Sequence, residues 1–79
     1  MEFYTLTEIM ELSSGEKSVH VDVYATKELA ISDMKSQIEE HVSNNEAFIV
    51  EEDELKVTLS DPEENVYQFI LEKKRVKEY

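Results

Sequence analysis

The hydrophobic pattern of this chain changes its period twice, and no other feature constrains the fold as strongly. Val19, Val21 and Val23 alternate with His20, Asp22 and Tyr24, the period of two that marks a half-buried strand. At Thr26 the spacing lengthens: Ala30, Ile31, Met34, Ile38 and Val42 recur every three or four residues and form one stripe on a helix. Beyond the helix the period of two returns. Leu55, Val57 and Leu59 alternate with Lys56, Thr58 and Ser60, and Tyr67, Phe69 and Leu71 with Gln68, Ile70 and Glu72. Strands, one helix and more strands are therefore expected in that order.

Local chemistry sets the boundaries. Glu2 to Leu12 is rich in aromatic, β-branched and threonine residues and reads as a strand, with Tyr4, Leu6, Met10 and Leu12 in one phase and Phe3 and Ile9 in the other. That break implies either a bulge or a strand with apolar contacts on both faces. The only glycine, Gly15, lies in Ser13-Ser14-Gly15-Glu16-Lys17, where a positive φ lets the chain reverse into the strand from Ser18 to Ala25. Thr26 is a good N-cap, and Glu28 falls in the first turn, where the helix dipole favours a carboxylate. A helix from 27 to 43 would be about 25 Å long at 1.5 Å per residue, ending near Ser43-Asn44-Asn45 because asparagine tolerates the left-handed conformation. Ala47-Phe48-Ile49-Val50 favours a short strand, and Asp61-Pro62-Glu63-Glu64-Asn65 is turn chemistry before a last strand from Val66 to Arg75.

The expected fold class is α+β, in the order β-β-α-β-β with an extra short strand after the helix: an antiparallel four- to five-stranded sheet with one helix packed on one face. The helix is expected to cover the valine-bearing face. A single domain over 1–79 follows from the absence of any Gly/Ser linker, Pro-rich tract or internal repeat.

Composition then narrows the function. Nineteen acidic side chains against eight basic ones give a net charge of -11, and there is no cysteine. Disulfides, thiolate metal sites and cysteine nucleophiles are excluded. A surface this negative repels a polyanion, so direct nucleic-acid binding and anionic membrane surfaces are not expected. Apolar runs fall short of the roughly 20 residues of a membrane span, and Met1 to Leu12 lacks the basic start of a signal peptide, so a soluble, cytoplasmic protein is the expectation.

No catalytic constellation emerges. His20 and Asp22, with Tyr24 beyond them, could form a base and its orienter on one strand face, but a solvated strand face is the preferred account of them. His41, between Ile38 and Val42, flanks the core rather than ligating anything. No serine lies in a Gly-x-Ser-x-Gly elbow. Glu51, Glu52, Asp53, Glu54, Asp61, Glu63 and Glu64 place seven carboxylates within fourteen residues, yet this segment has no glycine for the sharp turn of a Ca²⁺ loop, and one glycine in the chain cannot build a phosphate-binding loop. No metal, cofactor or enzymatic activity is expected.

The charge is unevenly laid out. Residues 1 to 72 carry eighteen acidic and four basic groups, while Lys73, Lys74, Arg75 and Lys77 against Glu78 make the end basic. Lys73-Lys74-Arg75 either continues the last strand and pairs with an acidic neighbouring segment or protects an exposed sheet edge from aggregation, and the edge-strand reading is preferred. The seven carboxylates from Glu51 to Glu64 are the candidate partner-binding residues, directed at a basic protein surface such as that of a nucleic-acid-binding nuclease complex. The alternative is a structural self-association module, a homodimer formed through an exposed sheet edge or through the Phe3/Ile9 face.

Val21-Asp22-Val23-Tyr24-Ala25-Thr26-Lys27-Glu28-Leu29-Ala30, preceded by Phe3-Tyr4-Thr5-Leu6-Thr7, resembles small proteins of phages and their bacterial hosts, in which a hairpin ends in an aromatic residue and a Thr-x-Glu-x-Ala helix start. The size and acidity also resemble those of phage-encoded inhibitors of host defence, including anti-CRISPR and anti-restriction proteins that mimic DNA. That second resemblance is one of type. It implies a non-enzymatic inhibitor, and it transfers no individual residue's role.

Overall fold

Leu12 donates its amide to the Glu16 carbonyl at 2.8 Å and accepts from the Gly15 amide at 2.9 Å, closing the first hairpin with Gly15 at φ 98°. From this turn run β1 (Glu2–Glu11) and β2 (Lys17–Tyr24). The structure, a computed structural model, describes residues 1–76. After β2 come α1 (Lys27–Asn45), β3 (Phe48–Glu52), β4 (Lys56–Ser60) and β5 (Val66–Arg75). The fold is α+β, one helix and a five-stranded antiparallel sheet in the order β2-β1-β5-β4-β3.

The helix starts where Thr26 Oγ1 accepts the Leu29 amide at 3.2 Å. It ends at Glu46, which takes the left-handed conformation at φ 56° and returns its amide to the His41 carbonyl. The break therefore falls one residue past the two asparagines. Ala30 and Met34 are buried, with Ile38 packed beside them, whereas Val42 at the end of the stripe is exposed. The sheet supplies Leu6, Val57, Leu59, Tyr67, Phe69 and Leu71 to the same side. Phe69, Leu6, Leu59 and Leu71 are shut off from solvent, each burial worth roughly 1.5–3 kcal/mol.

The valines of β2 lie on the other side. Leu6 pairs with Asp22 and Tyr4 with Tyr24, while Thr5, Thr7 and Ile9 pair with Val23, Val21 and Val19. Directly opposed residues of antiparallel strands share a face, so the helix covers the Tyr24 face and leaves the valines 51–66% exposed. This corrects the expectation that the helix covers the valine-bearing face. The physical reason is the hairpin: a turn centred on Ser14 pairs even-numbered with even-numbered positions, and Leu6 is even. The mixed phase of β1 likewise has its answer, since β1 is in unbroken register with β2 and β5 and shows apolar side chains to both faces. The sheet's irregularity is in β3 instead, between Ile49 and Glu51.

The basic end also differs from expectation. β5 is an interior strand between β1 and β4, but its ladder with β4 ends at the Lys56–Ile70 pair, so only residues beyond Leu71 border an open margin. There Lys73 and Arg75 reach the Glu2 carboxylate at 3.0 and 2.9 Å, and Lys74 reaches Glu72 at 3.0 Å. Lys77 and Glu78 lie outside the described residues. No described helix is long and apolar enough to cross a membrane.

Candidate protein-binding surface

β3 and β4 form a hairpin closed by the Asp53 amide on the Lys56 carbonyl at 2.7 Å. Asp53 Oδ1 accepts the Glu54 amide at 2.6 Å, which fixes that carboxylate against its own turn. The extra residue between Ile49 and Glu51 leaves Glu51 opposite Thr58 and Glu52 opposite Val57, so these two side chains stand on opposite faces of the same edge strand. All four acidic residues from 51 to 54 are exposed. Glu54 takes the Lys27 ammonium at 3.1 Å, and among the described residues no ion pair engages Glu51, Glu52 or Asp53. The hairpin thus carries a concentrated negative charge on the outer margin of the sheet, beside the start of the helix.

The other three carboxylates are elsewhere. They lie in the β4–β5 turn, at the opposite end of a five-residue strand, roughly 17 Å away at about 3.4 Å per residue. Glu63 and Glu64 are exposed. Asp61 is only 5% exposed. Its Oδ1 accepts the amides of Glu63 and Asn65 at 2.9 and 3.0 Å, and its Oδ2 accepts Asn65 Nδ2 at 3.0 Å and the Tyr67 hydroxyl at 2.7 Å. The Tyr67 hydroxyl, with the Asn65 contacts, holds this carboxyl below its ordinary value. Both oxygens of Asp61 are consumed in holding the turn. The seven carboxylates therefore resolve into an open group at 51–54, an exposed pair at 63–64 and one internal clamp.

The two histidines occupy different settings. His20 Nε2 and Asp22 Oδ1 are 3.1 Å apart on a strand face, with the His20 side chain 70% exposed and no enclosing cleft. His41 is enclosed. It stacks on Tyr67 with ring centroids 4.2 Å apart, its Nε2 lies 3.2 Å from Glu8 Oε1, and its Nδ1 lies 3.1 Å from Asn45 Nδ2. Both ring nitrogens are engaged within the protein. Sequence reasoning placed His41 beside the core but missed Glu8, whose signal was a carboxylate standing in the apolar phase between Leu6 and Met10. Tyr24 makes a further polar link across the sheet–helix interface, donating its hydroxyl to Asp33, which also accepts from Gln37. Burial and the Asp33 carboxylate raise the Tyr24 phenol above its ordinary value.

No group of three or more His, Asp or Glu side chains among the described residues has the arrangement of a metal site. A concavity between the helix end and the β4–β5 turn is lined by polar groups, among which Asp61, Asn65 and Tyr67 are already paired with one another. Comparison with protein-family models, curated proteins and solved structures finds no match.

Proposed function

We propose that this chain is a non-enzymatic, acidic protein-binding module that presents the β3–β4 hairpin to a basic protein surface. The observation that carries the reading is the exposure of Glu51, Glu52 and Asp53 on one hairpin without a described cationic partner. Unpaired carboxylates on a projecting edge raise the local concentration of a positive surface and orient its approach. The occupancy of both ring nitrogens of His41 and the openness around His20 support a binding role over a catalytic one.

A groove that holds nucleic acid is the basic surface best matched to this charge. Rows of carboxylates then stand in for phosphates, as in a phage-encoded inhibitor of a host defence nuclease. The test is capture of a nucleic-acid-binding nuclease complex by the immobilised chain, with and without competing duplex. The expected result is binding that weakens with salt, is displaced by duplex and is lost in a Glu51→Lys, Glu52→Lys double variant of unchanged circular dichroism. Equal capture by wild type and the double variant would overturn the reading.

A further inference from the structure

The sheet has two outer strands, and they are finished differently. β3 has five residues, an irregular register after Ile49, and two glutamates, features that discourage another strand from adding to it. β2 has eight residues, an unbroken register and neither proline nor glycine, and nothing among the described residues pairs with its outer side. It also carries one acidic residue, Asp22, against one basic residue, Lys17, in a strongly acidic chain.

The hydrogen-bonding phase of that outer side follows from the turn. Leu12 donates its amide to the Glu16 carbonyl and accepts from the Gly15 amide, so both of its backbone groups face the β2 side, and residues whose backbone groups face the partner alternate along an antiparallel ladder with residues whose groups face away. Met10–Ser18, Glu8–His20, Leu6–Asp22 and Tyr4–Tyr24 are then the bonded pairs, which turns the backbone N–H and C=O groups of Val19, Val21 and Val23 outward. The same three residues carry their side chains on the face that the helix leaves open.

We infer that β2 pairs antiparallel with β2 of a second copy of this chain, with Val21 opposite Val21 on a two-fold axis. This register places outward-facing backbone groups against outward-facing backbone groups over nearly the whole strand. Val19 then faces the second copy's Val23, so that six valines join across the axis on the open face. On the helix side His20 stands opposite the second copy's Asp22, twice by symmetry, so each carboxylate gains an imidazole neighbour. A shift by two residues in one direction would set His20 against His20, and in the other Asp22 against Asp22. Only the Val21-centred register combines full overlap with opposite polarity. The pairing also leaves each acidic β3–β4 hairpin at the far margin of a ten-stranded sheet, where the two negative groups repel least. The interface is isologous and closed, and the valine-lined edges cover each other.

Sedimentation equilibrium over rising concentration tests the pairing: the mass is expected to climb from 9.2 kDa to twice that value. Val21→Lys, which opposes two ammonium groups at the axis, is expected to stay at the single-chain mass with an unchanged circular dichroism spectrum. The register has its own readout, because the natural sequence has no thiol. Bonded antiparallel pairs hold their Cα atoms about 5.5 Å apart, within disulfide range. Val21→Cys is therefore expected to oxidise to a covalent dimer, Val19→Cys and Val23→Cys to resist when alone, and an equimolar mixture of those two to cross-link. A wild-type mass that stays at one chain, a Val21→Lys variant that still doubles, or Val19→Cys cross-linking as readily as Val21→Cys would each overturn the inference. If Val21→Lys fails to fold, the cysteine series decides alone.

Discussion

Tyr67 donates its hydroxyl to Asp61 Oδ2 at 2.7 Å, and this bond joins the β4–β5 turn to the aromatic centre on which His41 stacks. Burial first, and then the Asp61 carboxylate, push the Tyr67 phenol up to about 12. The same hydroxyl lowers the Asp61 carboxyl below its ordinary 3.8. A depressed carboxyl contributes stability that is complete above its unfolded value and is lost as pH falls through the folded one. The raised phenol contributes stability that is complete below about 10 and is lost as pH climbs toward about 12. Thermal melts should show the midpoint falling as pH drops below 3.8, and Asp61→Asn should flatten that acid slope while lowering the midpoint at neutral pH. Tyr67→Phe removes one buried hydrogen bond and should cost about 1 kcal/mol in urea denaturation.

Glu46 ends the helix in the left-handed region, where a non-glycine residue costs roughly 1–2 kcal/mol. Its carboxylate also sits at the negative end of the helix dipole, with no basic residue in the last turn. Both terms act in one direction. Glu46→Gly should raise stability by about 1 kcal/mol, measurable as a higher denaturation midpoint with unchanged helix content; a lower midpoint would show that the Glu46 side chain holds the cap in another way.

Thr58 Oγ1 is buried without a hydrogen-bond partner. An unmet buried hydroxyl costs about 1–3 kcal/mol, and valine has nearly the same shape with a higher preference for strands. Thr58→Val should stabilise the domain by about 1 kcal/mol. Differential scanning calorimetry distinguishes this from a neutral exchange.

Element type was legible from spacing, because Leu55, Val57 and Leu59 or Tyr67, Phe69 and Leu71 must show one face to a core for their alternation to matter. The placement of Val19, Val21 and Val23 was less legible. A strand at the sheet margin has the same alternation whichever face it presents, and only the parity of the Ser14-centred turn decides. Counting that turn before assigning the face would have grouped the valines with Phe3 and Ile9. The acidic segment posed a different problem. Seven carboxylates close in sequence are separated by the length of β4, and the turn consumes Asp61 because a short acceptor before Pro62 and Asn65 is what that backbone requires. Glu8 and His41, 33 positions apart, could be brought together only by knowing how the helix crosses the sheet.

The middle of the sheet is built from strands remote in sequence. β1 and β5 run in register for ten pairs, and Arg75 reaches Glu2 across 73 positions. Either outer hairpin can zip locally in microseconds, but the central ladder must wait for a large loop to close, an entropic delay that no local propensity shortens. Folding should therefore be limited by one long-range encounter. Linking Met1 to Val76, whose amide already meets the Met1 carbonyl at 2.9 Å, and reopening the chain within the β1–β2 turn would turn the slowest contact into a hairpin.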